Sequence, residues 1–207
     1  AGMWGLPLLR LDMGAVYNKF FGESERNVRE ALKLSETMAP CVLWIDEIEK
    51  GISTGDNDGG TSRRVLGSLL TWMAERKAPV FVVATANQIA DLPPELIRKG
   101  RFDEIFFVDL PDQAVREEIF RIHLQRRRQD PAAFDLPMLA AITEGFTGAE
   151  IEQAVVAALY SAQADQSVLD DAQIRSEVAA TVPLSVTMAE SLQALRQWCQ
   201  QRAVPAN

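Results

Sequence analysis

Two adjacent carboxylates, Asp46 and Glu47, come directly after the apolar run at residues 41–45. A continuous apolar run of this length is typical of a strand buried on both faces, and Pro40 in front of it disfavours a helix. The carboxylates then stand at the carboxyl end of a central strand, where open α/β sheets form their ligand crevice. One acid there can hold Mg²⁺, and the next can take a proton from an attacking water. Two solvated acids at the end of a strand are the alternative.

A second buried strand is predicted over residues 79–84, and Asn87 follows it closely. Parallel strands bring their carboxyl ends to one edge of a sheet, so Glu47 and Asn87 are expected to end neighbouring strands. A carboxylate and an amide in this position can hold one water between them, as phosphoanhydride hydrolysis requires. Asn87 can instead be a turn residue that its own side chain stabilises.

Two arginines, Arg98 and Arg101, stand on either side of Gly100 after a short helix predicted over residues 92–97. Glycine allows the backbone to turn there, so that both guanidinium groups can point outward. Such arginines can stabilise the charge on a γ-phosphate, either on their own subunit or on a neighbouring one.

The elements that must position these groups alternate between strands and helices, which predicts a parallel sheet with right-handed crossovers. A further apolar strand is predicted at residues 104–108. Strand signals stop after Pro111, and helical periodicity takes over. We therefore expect an α/β unit at residues 1–110 and an all-helical unit at residues 111–207.

Capping patterns mark the helices of the second half. Thr147 with Glu150 predicts a capping box that opens a long helix. Residues 165–181 are polar and weakly patterned. Thr187 with Glu190 predicts another capping box for the last helix, and residues 203–207 are predicted to form a frayed tail.

Composition excludes some classes of function. The hydrophobic fraction is 47%, the charged fraction is 24% and the net charge is −8, which disfavours nonspecific nucleic-acid binding. Cys41 and Cys199 do not make a disulfide framework. No apolar run approaches the roughly 18–20 residues of a membrane span, and no secretory leader opens the chain. We expect a cytoplasmic location, or the plastid stroma if the chain comes from an alga.

Six segments, in this combination and order, resemble the ATPase domain of the AAA+ superfamily, close to its ring-forming protein unfoldases and remodelling ATPases. They are Phe-Phe-Gly-Glu-Ser-Glu at residues 20–25, Leu-Trp-Ile-Asp-Glu at 43–47, Arg-Arg-Val at 63–65, Ala-Thr-Ala-Asn at 84–87, Leu-Ile-Arg-Lys-Gly-Arg-Phe-Asp at 96–103 and Gly-Phe-Thr-Gly-Ala-Glu-Ile at 145–151. The resemblance runs through most of the chain and implies a parallel-sheet P-loop NTPase core followed by a helical lid. Residues 92–107 are most similar to a divergent lineage of cyanobacteria and algal plastids.

The resemblance implies ATP and Mg²⁺ as cofactors and assigns roles to the residues above. Asp46 would serve Mg²⁺ in a Walker B segment, and Glu47 would polarise the attacking water. Asn87 would sense the γ-phosphate. Arg98 and Arg101 would act as arginine fingers on ATP held by the adjacent subunit of a homo-oligomeric, hexameric ring.

Other roles implied by the resemblance lie in the lid and in a pore. His123 would lie near the ribose or base, and Gly148 and Ala149 would form the lid turn beside the nucleotide. Phe20 and Phe21 would line a central pore and touch a protein substrate. A lone histidine on a partly apolar helix is more often a packed residue, and adjacent aromatics in a loop can simply pack on the core.

The sequence departs from the family pattern at the phosphate loop, because no Gly-x-x-x-x-Gly-Lys-Ser/Thr motif occurs in residues 1–207. In relatives this loop lies before the position of Ala1. The core is therefore expected to be incomplete at its N-terminus, and residues 1–207 alone are expected to bind ATP weakly and to be inactive.

Three functions are compatible with these residues. The first is an ATP-driven enzyme that remodels or unfolds a protein partner in a ring. The second is a nucleotide-dependent regulatory scaffold in cyanobacterial or plastid physiology, without substrate threading. The third, a helicase or clamp-loader-type function, is disfavoured by the acidic charge balance.

Overall fold

A three-stranded parallel sheet forms the centre of the first part of the chain. The structure is a computed structural model that describes residues 1–16, 23–52, 60–98 and 100–206. Its chain divides into two units, Ala1–Asp103 and Glu104–Asn207. The elements of the first unit are β1 (Leu8–Asp12), α1 (Met13–Val16), α2 (Glu23–Thr37), β2 (Cys41–Asp46), α3 (Thr61–Glu75), β3 (Val80–Ala84) and α4 (Pro94–Ile97).

The strand order is β1-β2-β3, and both strand pairs are parallel. Asp12 lies opposite Asp46 in the first pair, and Ile45 lies opposite Ala84 in the second. The carboxyl ends of all three strands therefore meet at one edge. This arrangement confirms the predicted parallel α/β sheet and places the predicted polar groups of β2 and β3 at that edge.

Strand β2 is anchored because its apolar side chains are buried, and one face of the sheet is covered by α2 and α3. Burying one large aliphatic side chain contributes about 1.5–3 kcal/mol, so a strand held by several of them has a rigid end. The helices supply residues at helical spacing, as amphipathic helices do. The fully buried residues from these three elements are Cys41, Leu43, Ile45, Val28, Leu32, Val65 and Leu69.

The second unit is helical apart from one short sheet. Its elements are β4 (Phe106–Phe107), α5 (Gln113–Arg126), α6 (Leu136–Ile142), α7 (Gly148–Ala164), α8 (Asp171–Ala180), α9 (Leu184–Thr187), α10 (Ala189–Cys199) and β5 (Val204–Pro205). Its core draws side chains from α5 to α8, chiefly Phe120, Leu124, Leu139, Ile151, Val155 and Ile174. Within the described ranges, no helix combines the length and the apolar character needed to cross a membrane.

Strand β4 pairs in parallel with β5 near the end of the chain. Backbone N–H groups of Val204 and Ala206 donate to the carbonyls of Ile105 and Phe107, at 2.8 and 2.9 Å. The predicted frayed tail is therefore wrong, because the last residues gain strand hydrogen bonds that only a distant segment can offer. The predicted unit boundary after residue 110 falls inside the second unit as the structure divides the chain.

Two helix predictions in the second unit also need correction. Residues 165–181, described from the sequence only as polar and weakly patterned, contain α8, which begins with a capping box between Asp170 and Gln173. Its apolar residues Ile174 and Val178 are only one turn apart, so the periodic signal was short. The capping box predicted at Thr187 is wrong, because α10 has Met188 at its N-cap and no capping side chain.

Candidate active site

Asp46 is the last residue of β2, and both of its carboxylate oxygens accept hydrogen bonds. The Thr85 hydroxyl donates to Oδ1 at 2.7 Å, and the Arg10 guanidinium Nη2 donates to Oδ2 at 2.6 Å. These contacts, the one with Thr85 first, hold the pKa of Asp46 below its ordinary value. Asp46 is therefore an ionised carboxylate with a defined orientation at the edge of the sheet.

Glu47 follows with a backbone in the left-handed region, at φ 49° and ψ 55°. A non-glycine residue adopts this conformation at a cost, and such strain persists only where the surroundings impose it. Thr85 imposes it here. Its hydroxyl accepts from the Glu47 N–H at 3.2 Å, and its carbonyl accepts from the Ile48 N–H at 3.0 Å. Thr85, at the end of the neighbouring strand β3, therefore holds the turn after β2 in place.

The Glu47 carboxylate lies between a cation and an amide. Lys50 Nζ donates to its Oε2 at 2.6 Å, and Asn87 Nδ2 donates to its Oε1 at 3.4 Å. The Glu47 contact is the main reason that the pKa of Lys50 is raised. The structure therefore brings Glu47 and Asn87 together in the way the sheet topology predicted, with a weak direct contact between them.

Glu49 is a buried carboxylate beside these groups, with 7% of its surface exposed. Its Oε1 accepts from the Asn87 backbone N–H at 3.1 Å. Its Oε2 has no hydrogen-bond partner among the residues that the structure describes. A buried carboxylate oxygen without a partner is unfavourable, so Glu49 lowers the stability of the fold. Its other oxygen fixes the backbone of Asn87.

The two arginines predicted from sequence lie in one turn after α4. Arg98 is exposed and Arg101 is half-buried, and the Arg101 N–H donates to the Arg98 carbonyl at 3.2 Å. Gly100 makes the turn with φ 94°, a conformation that favours glycine. The turn presents the Arg98 side chain to solvent.

The oxygen groups at this edge fit a magnesium ion. Among the described residues, no three or more His, Cys, Asp or Glu side chains gather into a metal-binding group. Mg²⁺ is usually bound through one or two carboxylates together with waters and substrate phosphates, and a protein cage is not needed. An ionised Asp46 beside the Thr85 hydroxyl supplies such a hard-oxygen donor set.

The predicted nucleotide contacts of the lid lie in the second unit. The His123 ring is 12% exposed, and its Nδ1 lies 3.3 Å from Glu152 Oε1, which also accepts from Arg127 at 2.8 Å. Burial is the main cause that lowers the pKa of His123, and the neighbouring Glu152 carboxylate opposes it. Gly148 and Ala149 form the first turn of α7 after the Thr147 cap. Their contact with nucleotide stays a prediction.

Sequence reasoning missed four residues of this site. Arg10, Thr85, Glu49 and Lys50 contact the predicted carboxylates or the Asn87 backbone. Thr85 had a signal, since it is polar and stands at the end of a buried strand. Arg10 had none, because its partner lies on a different strand. The predicted pore residues Phe20 and Phe21 lie outside the described residues.

Comparison with known proteins places the chain in a family. Residues 1–110 match the model of the "ATPase family associated with various cellular activities (AAA)". The uncharacterized AAA domain-containing protein ycf46 of Pyropia yezoensis is 47% identical over 201 residues, covering 96% of this chain and 41% of that protein. The protein of the same name from Guillardia theta is 45% identical, with 96% and 40% covered.

A third relative carries a functional name. The proteasome-activating nucleotidase of Aeropyrum pernix is 38% identical over 169 residues, covering 78% of this chain and 41% of that protein. The chain thus spans about two fifths of the length of the curated relatives it matches. The family match over more than half of the residues agrees with the parallel sheet and with the acids at its edge, and the chain belongs to the AAA family of ATPases.

Proposed function

We propose that this chain supplies the water-activating part of an ATP hydrolase that couples ATP turnover to the remodelling of a protein partner in a ring of identical subunits. The observation that carries the proposal is the pairing of Glu47 with Asn87 across the ends of β2 and β3, beside an ionised Asp46. Family membership supports ATP as the substrate. The name of the Aeropyrum relative supports a protein partner.

In this proposal Glu47 is the general base. Its Oε1 lies 3.4 Å from the Asn87 amide Nδ2, and a water that replaces this weak contact would donate a proton to the carboxylate while accepting from the amide. Lys50 bonds the other oxygen, Oε2, so the carboxylate is held in one orientation. The left-handed backbone at Glu47 keeps this orientation fixed before the substrate arrives.

Asp46 would hold Mg²⁺, which when bound neutralises charge on the phosphate oxygens. Thr85 orients both acids, because its hydroxyl bonds the Asp46 carboxylate and the Glu47 N–H. Arg98 and Arg101 would reach the γ-phosphate of ATP on the adjacent subunit. The phosphates need a further cradle, since residues 1–207 contain no Gly-x-x-x-x-Gly-Lys-Ser/Thr motif.

The test of this proposal is Glu47→Gln in the intact protein. Glutamine keeps the shape but cannot take a proton, so kcat for phosphate release is expected to fall at least about 100-fold. Binding of a non-hydrolysable ATP analogue should change little. Glu75→Gln, an exposed acid at the end of α3, is the matched control. Normal turnover by Glu47→Gln would show that the base is another group.

The ring is tested by mixing subunits. If Arg101 acts on a neighbour's ATP, Arg101→Ala subunits should reduce the activity of wild-type subunits in mixed assemblies more than dilution does. Arg26→Ala, on the exposed side of α2, should only dilute. An activity proportional to the wild-type fraction would contradict action between subunits.

Substrate threading is tested at Phe20 and Phe21. Replacing both by alanine should abolish protein remodelling and leave ATP hydrolysis intact. If remodelling persists, the partner is regulated by the nucleotide state without threading.

A further inference from the structure

Arg10 is a cation built into the edge of the sheet where the metal carboxylate stands. It lies on β1 opposite Trp44, and Asp12 lies opposite Asp46. Side chains that are opposite in parallel register, and those two apart on one strand, share a face of the sheet. Arg10, Trp44, Asp12 and Asp46 therefore lie on one face, in adjacent positions.

Three groups hold the guanidinium in place. Its Nη2 lies 2.6 Å from Asp46 Oδ2 and 3.5 Å from Asp12 Oδ2. Its carbon Cζ lies 5.1 Å from the centroid of the Trp44 ring. A planar guanidinium suits this combination of a carboxylate and an aromatic face. A lone surface ion pair would have less geometric definition.

We propose that Arg10 is an internal competitor of the divalent cation for Asp46, and so sets how tightly this site takes its metal. The proposal rests on the assignment of Asp46 as the magnesium carboxylate. A metal that binds Asp46 Oδ2 on the side occupied by Arg10 Nη2 displaces the guanidinium, which keeps its ion pair with Asp12. Repulsion between the fixed guanidinium charge and a doubly charged metal weakens binding further.

As a consequence, the site needs a higher concentration of divalent cation to be occupied. With Arg10 on Asp46 the carboxylate is ionised and oriented, yet its charge is already paired. Binding of the divalent cation then replaces the Arg10 guanidinium at Asp46. The affinity for the metal is therefore lower than it would be for an Asp46 without a paired cation. Arg10 is a positioning residue in this scheme, because it acts through Asp46.

The experiment is a titration with Mn²⁺ alone, in the absence of nucleotide, followed by the EPR signal of free Mn²⁺. Arg10→Met keeps the hydrocarbon stem on Trp44 and removes the charge, so Mn²⁺ should bind on the order of tenfold more tightly. Arg10→Lys keeps the charge and should stay close to the wild type. The control Arg26→Met removes an exposed arginine that pairs with Glu30 on α2, and it should have no effect.

The coupling between Arg10 and Asp46 is measured by a double-variant cycle. In an Asp46→Asn background, Arg10→Met should no longer tighten Mn²⁺ binding. Unchanged or weaker binding by Arg10→Met overturns the proposal, and so does an equal gain in Arg10→Lys or in Arg26→Met.

Failure of the proposed function would look different. If Asp46→Asn alone leaves Mn²⁺ binding unchanged, Asp46 is not the metal carboxylate, and the metal assignment falls together with its competitor. If Glu47→Gln hydrolyses ATP normally while Arg10→Met still tightens Mn²⁺, the general base is wrong and the competition stands.

Discussion

The start of α7 and the end of β2 both combine a threonine with carboxylates, but they leave those carboxylates in different states. At α7, Glu150 accepts hydrogen bonds from the Thr147 N–H and hydroxyl, at 2.7 and 2.8 Å, and from the Leu184 N–H at 2.6 Å. The Thr147 hydroxyl oxygen in turn accepts a hydrogen bond from the Glu150 N–H. The groups that bond Glu150 all lie in turns of the second unit, and together they form a helix cap.

At the end of β2 the threonine is Thr85, which directly follows β3. The Glu47 carboxylate there can still accept further hydrogen bonds. Thr85 orients Glu47 through the backbone only, and the carboxylate itself meets a lysine and a weak amide contact. The backbone of Glu47 is strained, whereas Thr147 has an ordinary extended cap conformation. An acid satisfied by backbone N–H groups stabilises the fold, and an acid held by strain with exchangeable partners remains available for chemistry.

The largest expected effect on stability tests the cap. Glu150→Ala removes an acceptor of three hydrogen bonds, so the free energy of unfolding of the second unit should fall by about 2–3 kcal/mol. Chemical denaturation followed by circular dichroism measures it. Glu144→Ala, an exposed acid of the same unit, should change it little. An equal loss in both variants would mean that the cap is not special.

Thr85→Val tests the other member of the comparison. Valine has a similar shape but lacks the hydroxyl that donates to Asp46 Oδ1 and accepts from the Glu47 N–H. We expect kcat to fall about tenfold, because the acids lose their orientation. Thr71→Val, at an exposed position of α3, is the control. Full activity of Thr85→Val would show that β3 does not position the acids.

The stability of the second unit is expected to depend on pH through His123. His123 has a lowered folded-state pKa, so the unfolded chain takes up a proton first as the pH falls through about 6.5. Stability should therefore decrease from pH 7 downward until the pH passes below the folded pKa. The slope cannot exceed about 1.4 kcal/mol per pH unit for one proton.

His123 is the only histidine in the chain, so this window belongs to it. The charged groups around it are Glu152, Arg127 and Arg126. His123→Gln should flatten the dependence near pH 6.5 in denaturation curves measured at several pH values. A dependence that persists in the variant would assign it to other groups.

The smallest expected effect concerns the strain at Glu47. Glycine adopts φ 49° readily, so Glu47→Gly should raise the free energy of unfolding of the first unit by at most about 1 kcal/mol while hydrolysis is lost. Losing the partly exposed pair with Lys50 offsets little. Thermal unfolding measures it, and a clear destabilisation would show that the strain relieved is smaller than the entropy that glycine adds to the unfolded chain.

Local signals in the sequence predicted most of the elements. The apolar run before Asp46 predicted β2, and the Thr147–Glu150 spacing predicted the start of α7, because both depend on neighbours in the chain. The alternation of strands and helices predicted a parallel sheet in which Glu47 and Asn87 end neighbouring strands. The tail was missed because β5 depends on hydrogen bonds to β4, far away in sequence.

The sequence by itself therefore predicted the acids that end β2, and it predicted that Asn87 follows the strand beside them. Only the tertiary structure decided what each acid contacts. Local spacing encodes none of the contacts between strands or turns at this site. These are the hydrogen bonds of Thr85 with Asp46, of Glu49 with the Asn87 N–H, and of Arg10 with Asp46. The physical reason is that periodicity assigns a side chain to a face, whereas its partner is set by the register of the neighbouring strand.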